Sequence, residues 1–256
     1  MANPLPAGLN VSGEAGVARV FSQAALHLSR GERTTTHAHY AWKLHLGLDA
    51  PVWLNCPELK LPPAAGVRGI LIPPNLSHST GAVGGSIAVF FAPGSRHAPW
   101  RDDARPRLLD GRMVDRLLSL PLDTADGRQG SEVVELCAEE LFPRGVENVD
   151  SRVAHCLRAL QADPGKGLGA LARDCGVSLD HLSRLVRRET GLVLRRHVLW
   201  GRLLRALTLP GGNLASVAQA AGFADHAHMT RTFRACLGRA PSEFVTPPEV
   251  VAPWSS

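Results

Sequence analysis

LGALARDCGVSLDHLSRLVRRETG at residues 168–191 and LASVAQAAGFADHAHMTRTFRACLG at residues 214–238 carry one pattern twice, and reading them decides the fold. In the first copy Leu171 and Ala172 precede a turn at Gly176, Val177 and Ser178; Leu182, Arg184, Leu185 and Val186 follow, and Gly191 closes the unit. In the second, Val217 and Ala218 precede Gly222 and Phe223; Met229, Arg231, Thr232 and Phe233 follow, and Gly238 closes it. Alanine stands four residues before the turn glycine in both copies, and everything after the turn comes one residue later in the second, as one inserted turn residue would produce. A short helix, a glycine turn and a second helix make a helix-turn-helix plan. Ser178 is placed to cap the helix running through Glu189, Asn213 the helix ending near Ala221, and Asp225 the helix from His226 to about Leu237. Between the units a connecting helix spans 195–209 until Pro210-Gly211-Gly212 breaks it. Upstream, Asp150 caps a helix from Ser151 to about Ala162; downstream, Pro241-Ser242-Glu243-Phe244 begins a last short helix.

Charge separates the chain in the same way. Residues 1–147 hold 14 Lys/Arg against 15 Asp/Glu, and residues 148–256 hold 14 against 8. The excess of +6 thus sits in the half that carries the duplicated pattern, where a polyanion would bind. A helix fits the major groove, and its outward side chains then meet base edges. Leu182, Leu185 and Val186 form the inward stripe of the first recognition helix, which leaves Asp180, His181, Ser183, Arg184 and Arg187 outside or at its edge. Met229 and Phe233 turn inward in the second, leaving His226, Ala227, His228, Thr230, Arg231 and Arg234 outside. Arg184 and Arg231 occupy equivalent positions, each suited to a bidentate contact with guanine.

The first hundred residues read as β structure. Val17 to Leu28, Trp42 to Leu48, Val52 to Leu54, Val67 to Ile72 and Ser86 to Phe91 are short apolar or alternating runs separated by Gly- and Pro-bearing turns. Many short strands in succession suggest a small barrel or sandwich. Met113, Val114, Leu117 and Leu118, then Val133, Val134, Leu136, Cys137 and Leu141, recur at helical spacing, so two amphipathic helices follow, to cover the sheet or to meet a second copy. Pro143 to Asn148 breaks the periodicity and marks a domain boundary. Five scattered cysteines without a CxxC pair argue against a disulfide framework and a thiolate zinc site. Residues 1–16 do not read as a signal peptide and no apolar stretch suffices to span a bilayer, so a cytoplasmic protein is expected.

The motifs Leu171-Ala172…Gly176-Val177-Ser178…Leu182-Ser183-Arg184…Glu189-Thr190-Gly191 and Ala218…Ala221-Gly222-Phe223-Ala224-Asp225…His228…Thr230-Arg231-Thr232-Phe233-Arg234…Gly238…Pro241-Ser242-Glu243-Phe244 resemble the DNA-binding domain of AraC/XylS-type transcriptional regulators, over roughly residues 150–245. The resemblance implies seven helices, two recognition helices entering successive major grooves, and base-reading positions at Asp180, Ser183 and Arg184 in the first unit and His226, Ala227, Thr230 and Arg231 in the second. Val186 stands where the family carries an aromatic, and Pro210-Gly211-Gly212 ends the linker early. Gly31, His37-Ala38-His39 and Pro73-Pro74-Asn75-Leu76-Ser77-His78 resemble in part the two motifs of the cupin barrel. His37 and His39 share a strand face and can converge with His78 on a metal ion. Lys43, however, takes the place of the cupin glutamate, and Ala82 that of an asparagine. An ammonium beside a dication must be neutral or turned away, so a pocket of His37, His39, Lys43 and His78 receiving a small anion is the favoured alternative.

These readings together give an α+β protein of two domains: an N-terminal cupin-like β-barrel with appended helices that senses an effector and dimerises (1–147), an all-α domain with two helix-turn-helix units joined by a linker helix (148–247), and a flexible tail (248–256). The expected role is a sequence-specific, effector-responsive transcriptional regulator, not an enzyme. Its expected partners are promoter DNA, a small-molecule effector, a second copy of the chain and, if it activates, RNA polymerase, with no membrane. A divalent metal or a small anionic effector is the candidate ligand. The competing classes are a cupin metalloenzyme with a DNA-binding appendage, and an alkyl-accepting DNA-repair protein, which would need an activated cysteine.

Overall fold

The computed structural model describes residues 16–21, 24–57, 67–95, 105–122, 127–143, 149–209 and 213–245. The expected boundary near 147–148, the Pro210–Gly212 break and the tail 248–256 fall outside these residues. β1 (Gly16–Phe21), β2 (Ala24–Arg30), β3 (Trp42–Gly47), β5 (Gly69–Ile72), β7 (Gly85–Phe91) and β8 (Arg107–Leu108) form one sheet with β9 (Phe244–Val245), in the order β8-β5-β3-β7-β2-β1-β9. β4 (Val52–Asn55) and β6 (Ser79–Ala82) pair separately as a ribbon. The run Val17 to Leu28, read as one strand, folds into the antiparallel hairpin β1–β2, with Val17 opposite Leu28. The expected barrel is corrected: among the described residues the strands make an open sheet and a ribbon. Isolated bridges, Arg33 to Gly81, His37 to His78 and Val52 to Val67, take the place of a continuous ladder around a closed wall.

Period-two alternation gives the sheet two different faces. Leu26 and Leu28 of β2, Trp42, Leu44 and Leu46 of β3, and Ile87, Val89 and Phe91 of β7 point outward to α1 (Gly111–Ser119) and α2 (Gly127–Leu141), with Val114, Leu117, Val133, Cys137 and Leu141 completing that core. The other face carries Ala25 of β2 and Ala88 and Phe90 of β7, together with His27, Lys43 and His45 at the alternate positions of β2 and β3. One end of this inner face, Ile70 and Ile72 of β5, is roofed by the ribbon through Val52, Leu54 and Ala82, with Cys56 beside them. The other end is roofed by helices of the second half of the chain.

Those helices follow their capping signals. Asp150 accepts from Arg152 N at the start of α3 (Ser151–Ala162), Ser178 from His181 N at α5 (Leu179–Thr190), Asn213 from Ala215 N at α7 (Leu214–Ala220) and Asp225 from His228 N at α8 (His226–Leu237). α4 (Leu168–Asp174) and α6 (Leu194–Thr208) complete the set. The α4–α5 and α7–α8 turns place Gly176 at φ 67° and Gly222 at φ 84°, left-handed conformations that glycine adopts without steric cost. Four residues separate α4 from α5 and five separate α7 from α8, which is the inserted residue read from the sequence. Six α-helices and a 3-10 turn (Pro241–Glu243) occur here among the described residues, in place of the seven helices expected. The last helix is corrected as well: after the 3-10 turn Phe244 finds the open edge of β1 and runs parallel to it as β9. No helix among the described residues is long and apolar enough to cross a membrane.

The two helical units differ in what they pack on. Leu171, Ala172, Leu182, Leu185 and Val186 of the first close a core with Val153, Cys156 and Leu160 of α3 and Leu194 and Val198 of α6. Val186 is fully buried there despite its size. The second unit shares its core with the sheet: Ala218, Ala221, Phe223, Met229, Phe233, Cys236 and Leu237 join Trp200, Leu203, Leu204 and Leu207 of α6 against Ala18, Val20, Ala25, Ala88 and Phe90. Leu203→Ala, at a fully buried position of that joint core, is therefore expected to cost about 3 kcal/mol. It should also lower amide-exchange protection in β1 and β2 together with α7 and α8; protection lost in the helices alone would show two separate cores.

Candidate nucleic-acid interface and the adjoining histidine cluster

The reading surface is built by two helices of equal length, each with an arginine as its sixth residue, Arg184 in α5 and Arg231 in α8. Asp180, Arg184 and Arg187 are exposed and Ser183 is half-buried, its hydroxyl donating to Leu179 O at 2.7 Å. Arg184 is held by Asp180 one turn earlier at 2.9 Å, with the two side chains 70% and 76% exposed. A pair so open to water is worth a few tenths of a kcal/mol, so it is readily exchanged for a phosphate or a base edge. In α8, His226, Arg231 and Arg234 are exposed and Ala227, His228 and Thr230 are half-buried. His228 lies edge-on to Phe223 at 5.5 Å and serves the turn as much as the surface. Thr232, quoted in the motif but not as a site residue, is buried and donates to His228 O.

The sheet domain places a histidine cluster beside this unit. His37 and His39 lie on the connection between β2 and β3, and His78 on the segment entering β6; His37 and His78 exchange both backbone hydrogen bonds at 2.9 Å. The ring centroids of His37 and His78 are 4.4 Å apart, and those of His39 and His78 4.7 Å. His37 is 4% exposed, and His39 and His78 are fully buried. Each Nδ1 lies against a backbone carbonyl: Thr35 at 2.8 Å, Ala41 at 2.6 Å and Leu76 at 2.8 Å. A carbonyl only accepts, so each Nδ1 carries the hydrogen and each Nε2 the lone pair. Burial keeps the rings neutral, lowering His37 to about 4 and His78 to about 2, with Lys43 adding to the first and His37 to the second. Their Nε2 atoms have no hydrogen-bond partner, and these three residues form the cluster with metal-ligand geometry among the described residues, its donor atoms within 4.8 Å of one another.

Lys43, the fourth residue expected in the pocket, is hydrogen-bonded to the ribbon. Its ammonium donates to Thr80 Oγ1 at 2.8 Å and lies 5.7 Å from the Phe90 ring centre. Burial pulls its pKa down and Glu32 offsets this. Glu32, immediately after Gly31, is the carboxylate the sequence reading missed. Burial would raise its pKa, but Lys43, His27, His45 and the Ser29 hydroxyl overcome this and hold it below the usual carboxylate range. Only its place after Gly31, four residues beyond the apolar run that ends at Leu28, is available in the sequence to reveal it.

The cysteines offer no activated thiol among the described groups that titrate away from normal. Burial raises Cys137 and Cys156 to about 12 and Cys236 to about 11, and Cys175 also moves up. Upward shifts are the reverse of what an alkyl acceptor needs.

Residues 171–246 match the family model described as a helix-turn-helix domain, and this domain is of the AraC type. Most of the chain is similar in fold to ToxT from Vibrio cholerae. A ligand-free structure of a single-residue ToxT variant aligns with TM-score 0.58 at 10% identity, covering 88% of this chain and 97% of that one. A ToxT structure described as bound to an unsaturated fatty acid aligns with TM-score 0.53 at 11% identity, covering 91% and 96%. An AraC-type transcriptional regulator from Chromobacterium violaceum is 24% identical over 36% of this chain and 88% of that one, with TM-score 0.34. No curated protein sequence matches the chain. The molecule is thus a two-domain α+β protein, a sheet domain joined to an AraC-type helix-turn-helix domain.

A buried histidine in α6 gives the fold a defined acid sensitivity. His197 Nε2 meets Thr190 Oγ1 at 2.8 Å beneath the first unit, and burial lowers its pKa to about 4. An unfolded histidine protonates near pH 6.5, so the unfolded chain gains protons first as the pH falls. Stability is complete above pH 6.5 and is lost as the pH drops from there toward 4, by roughly 2 kcal/mol between pH 7.5 and 5 for this one group. His197→Gln keeps a partner for Thr190 without a titrating ring, and urea melts should show its pH slope shallower by that amount; an unchanged slope refutes the assignment.

Proposed function

We propose that this protein is a sequence-specific DNA-binding transcriptional regulator that reads two successive major grooves with α5 and α8 and responds to an effector held by its sheet domain. The observation that carries the reading is the exposed arginine at the sixth position of both recognition helices, each presented by a capped helix whose opposite face is buried. Asp180, Ser183, Arg184 and Arg187 would meet one groove, and His226, Ala227, His228, Thr230, Arg231 and Arg234 the next. Residues 1–147 are the proposed sensing part and 148–247 the reading part.

Response to an effector is supported by the core that the second unit shares with the sheet: a ligand that alters the inner face of the sheet alters the platform on which α8 stands. The fatty-acid-bound ToxT structure has a similar fold, and a ligand-responsive sheet domain fits that likeness.

The second unit has the fuller buried core and the firmer platform, so it is the proposed anchor, and the first unit refines sequence choice. Arg231→Ala should lower affinity for a promoter site about 10- to 100-fold, the range for losing one bidentate base contact. Arg184→Ala should cost less, because Asp180 already competes for its guanidinium. Quantitative footprinting at several salt concentrations checks both. Tolerance of Arg231→Ala alongside loss of binding with Arg184→Ala would reverse the ranking, and salt-independent binding would count against DNA as the partner.

A further inference from the structure

Three buried imidazoles, each with a bare Nε2 and with ligand atoms within 4.8 Å of one another, are costly unless something positive lies between them. An acceptor taken from water and left unmatched costs about 1–3 kcal/mol, and His37, His39 and His78 each present such a nitrogen in Nε2. Their orientation is not accidental, since each ring is fixed by its Nδ1 hydrogen bond to a carbonyl two residues away. That arrangement, with the remote nitrogen pinned to a carbonyl and the near one free, is how metal-binding histidines are set.

The ammonium of Lys43 is the obvious obstacle to a cation: its charge lowers the pKa of all three histidines, and a buried carboxylate offsets it. Lys43 is turned to Thr80, and the buried carboxylate of Glu32, which also lies 3.8 Å from His27 and 4.0 Å from His45, balances its charge. What remains at the triad is a set of three neutral nitrogens. Neutral imidazoles favour Zn²⁺, Ni²⁺, Cu²⁺ or Co²⁺ and offer little to Mg²⁺ or Ca²⁺, which take oxygen ligands.

The same segment is fastened to the second recognition helix. Thr35 donates from its backbone nitrogen and from its hydroxyl to Gly238 O, both at 3.0 Å, and Ala38 N donates to Ala235 O at 3.0 Å. Ala235 and Gly238 end α8, where helix carbonyls lack partners of their own. A Cβ on Gly238 would stand 2.6 Å from His37 Nδ1, so helix end and ligand ring are in direct apposition. Asn75 N donates to His39 O at 2.8 Å, and Arg196 of α6 donates to Asn75 Oδ1 at 2.7 Å while lying over the Tyr40 ring.

We propose that His37, His39 and His78 bind one divalent transition-metal ion through Nε2, and that this ion is the signal that steadies the C-terminal end of α8. The link to promoter binding rests on the regulatory reading above; binding of the ion and steadying of the helix do not. The full chain, stripped with a chelator, is titrated with Zn²⁺ by calorimetry and with Co²⁺ by visible absorption. One equivalent per chain is expected, undisturbed by excess Mg²⁺. His78→Asn keeps an N–H donor for the Leu76 carbonyl but removes Nε2, so it should fold and lose affinity at least about 100-fold. Failure of the wild type to bind Zn²⁺ or Co²⁺, or an unchanged affinity in His78→Asn and His37→Asn, overturns the site. Amide exchange in the last turn of α8 should slow on adding Zn²⁺ to the wild type and not to His78→Asn; no change in the loaded wild type overturns the coupling. A footprint that Zn²⁺ strengthens over the half read by α8 extends the coupling to DNA. A protein that binds Zn²⁺ and steadies α8 but protects no promoter refutes the regulatory reading and leaves the site intact.

Discussion

A sheet that is apolar on both faces must be covered on both, and the architecture of this protein follows from that constraint. β2 and β7 alternate Leu26 with Ala25, Val89 with Ala88 and Phe91 with Phe90, so neither face can be left to water. Helices α1 and α2 cover one side. Among the described residues no further element of the first 147 covers the inner face beside β1 and β2, and α6 with the second helix-turn-helix unit closes it. β9 then seals the β1 edge by main-chain pairing. The second reading unit is in this sense part of the sheet domain's core, although it lies more than a hundred residues further along the chain.

The same inner face carries the buried polar groups, which its apolar neighbours would not tolerate unpaired. Ser29, Glu32, Lys43, Thr34 and Thr80 satisfy one another in a connected set of hydrogen bonds and charges between sheet and ribbon. Removing one member of such a set would leave the rest exposed to the full cost of burial, whereas the complete set is close to neutral in energy. Its value is in position: it ties the lysine to Thr80 and sets a carboxylate against its charge beside the histidine cluster.

Much of the helical half was legible in the sequence because its signals are local. Asp150, Ser178, Asn213 and Asp225 cap the helices they were expected to cap, and Gly176 and Gly222 turn where the pattern required. Local signals could not reveal what the second half packs against. Phe244 was read as helical because Pro241 opens a turn, and the edge of β1 that captures it lies far away in sequence. Strand alternation places Lys43 on the inner face but does not give the direction of a long flexible side chain; that is set by Thr80 and Glu32 from other segments. The β1–β2 hairpin was merged into one strand because both arms are apolar, and β6 was passed over because Ser79-Thr80-Gly81-Ala82 has none of the bulky residues that announce a strand.

The two reading units are therefore mechanically unequal. The first has a closed core of its own with α3 and α6, and its arginine is engaged by a neighbouring aspartate on an open surface. The second stands on the sheet, with the C-terminal end of α8 tied by Thr35 and Ala38 to the segment that bears two of the three histidines. A ligand acts on such a molecule only through a difference in affinity between two arrangements, and the place where two arrangements differ most is the tied end, not the free one. A change in that segment would therefore reach the setting of α8 before that of α5.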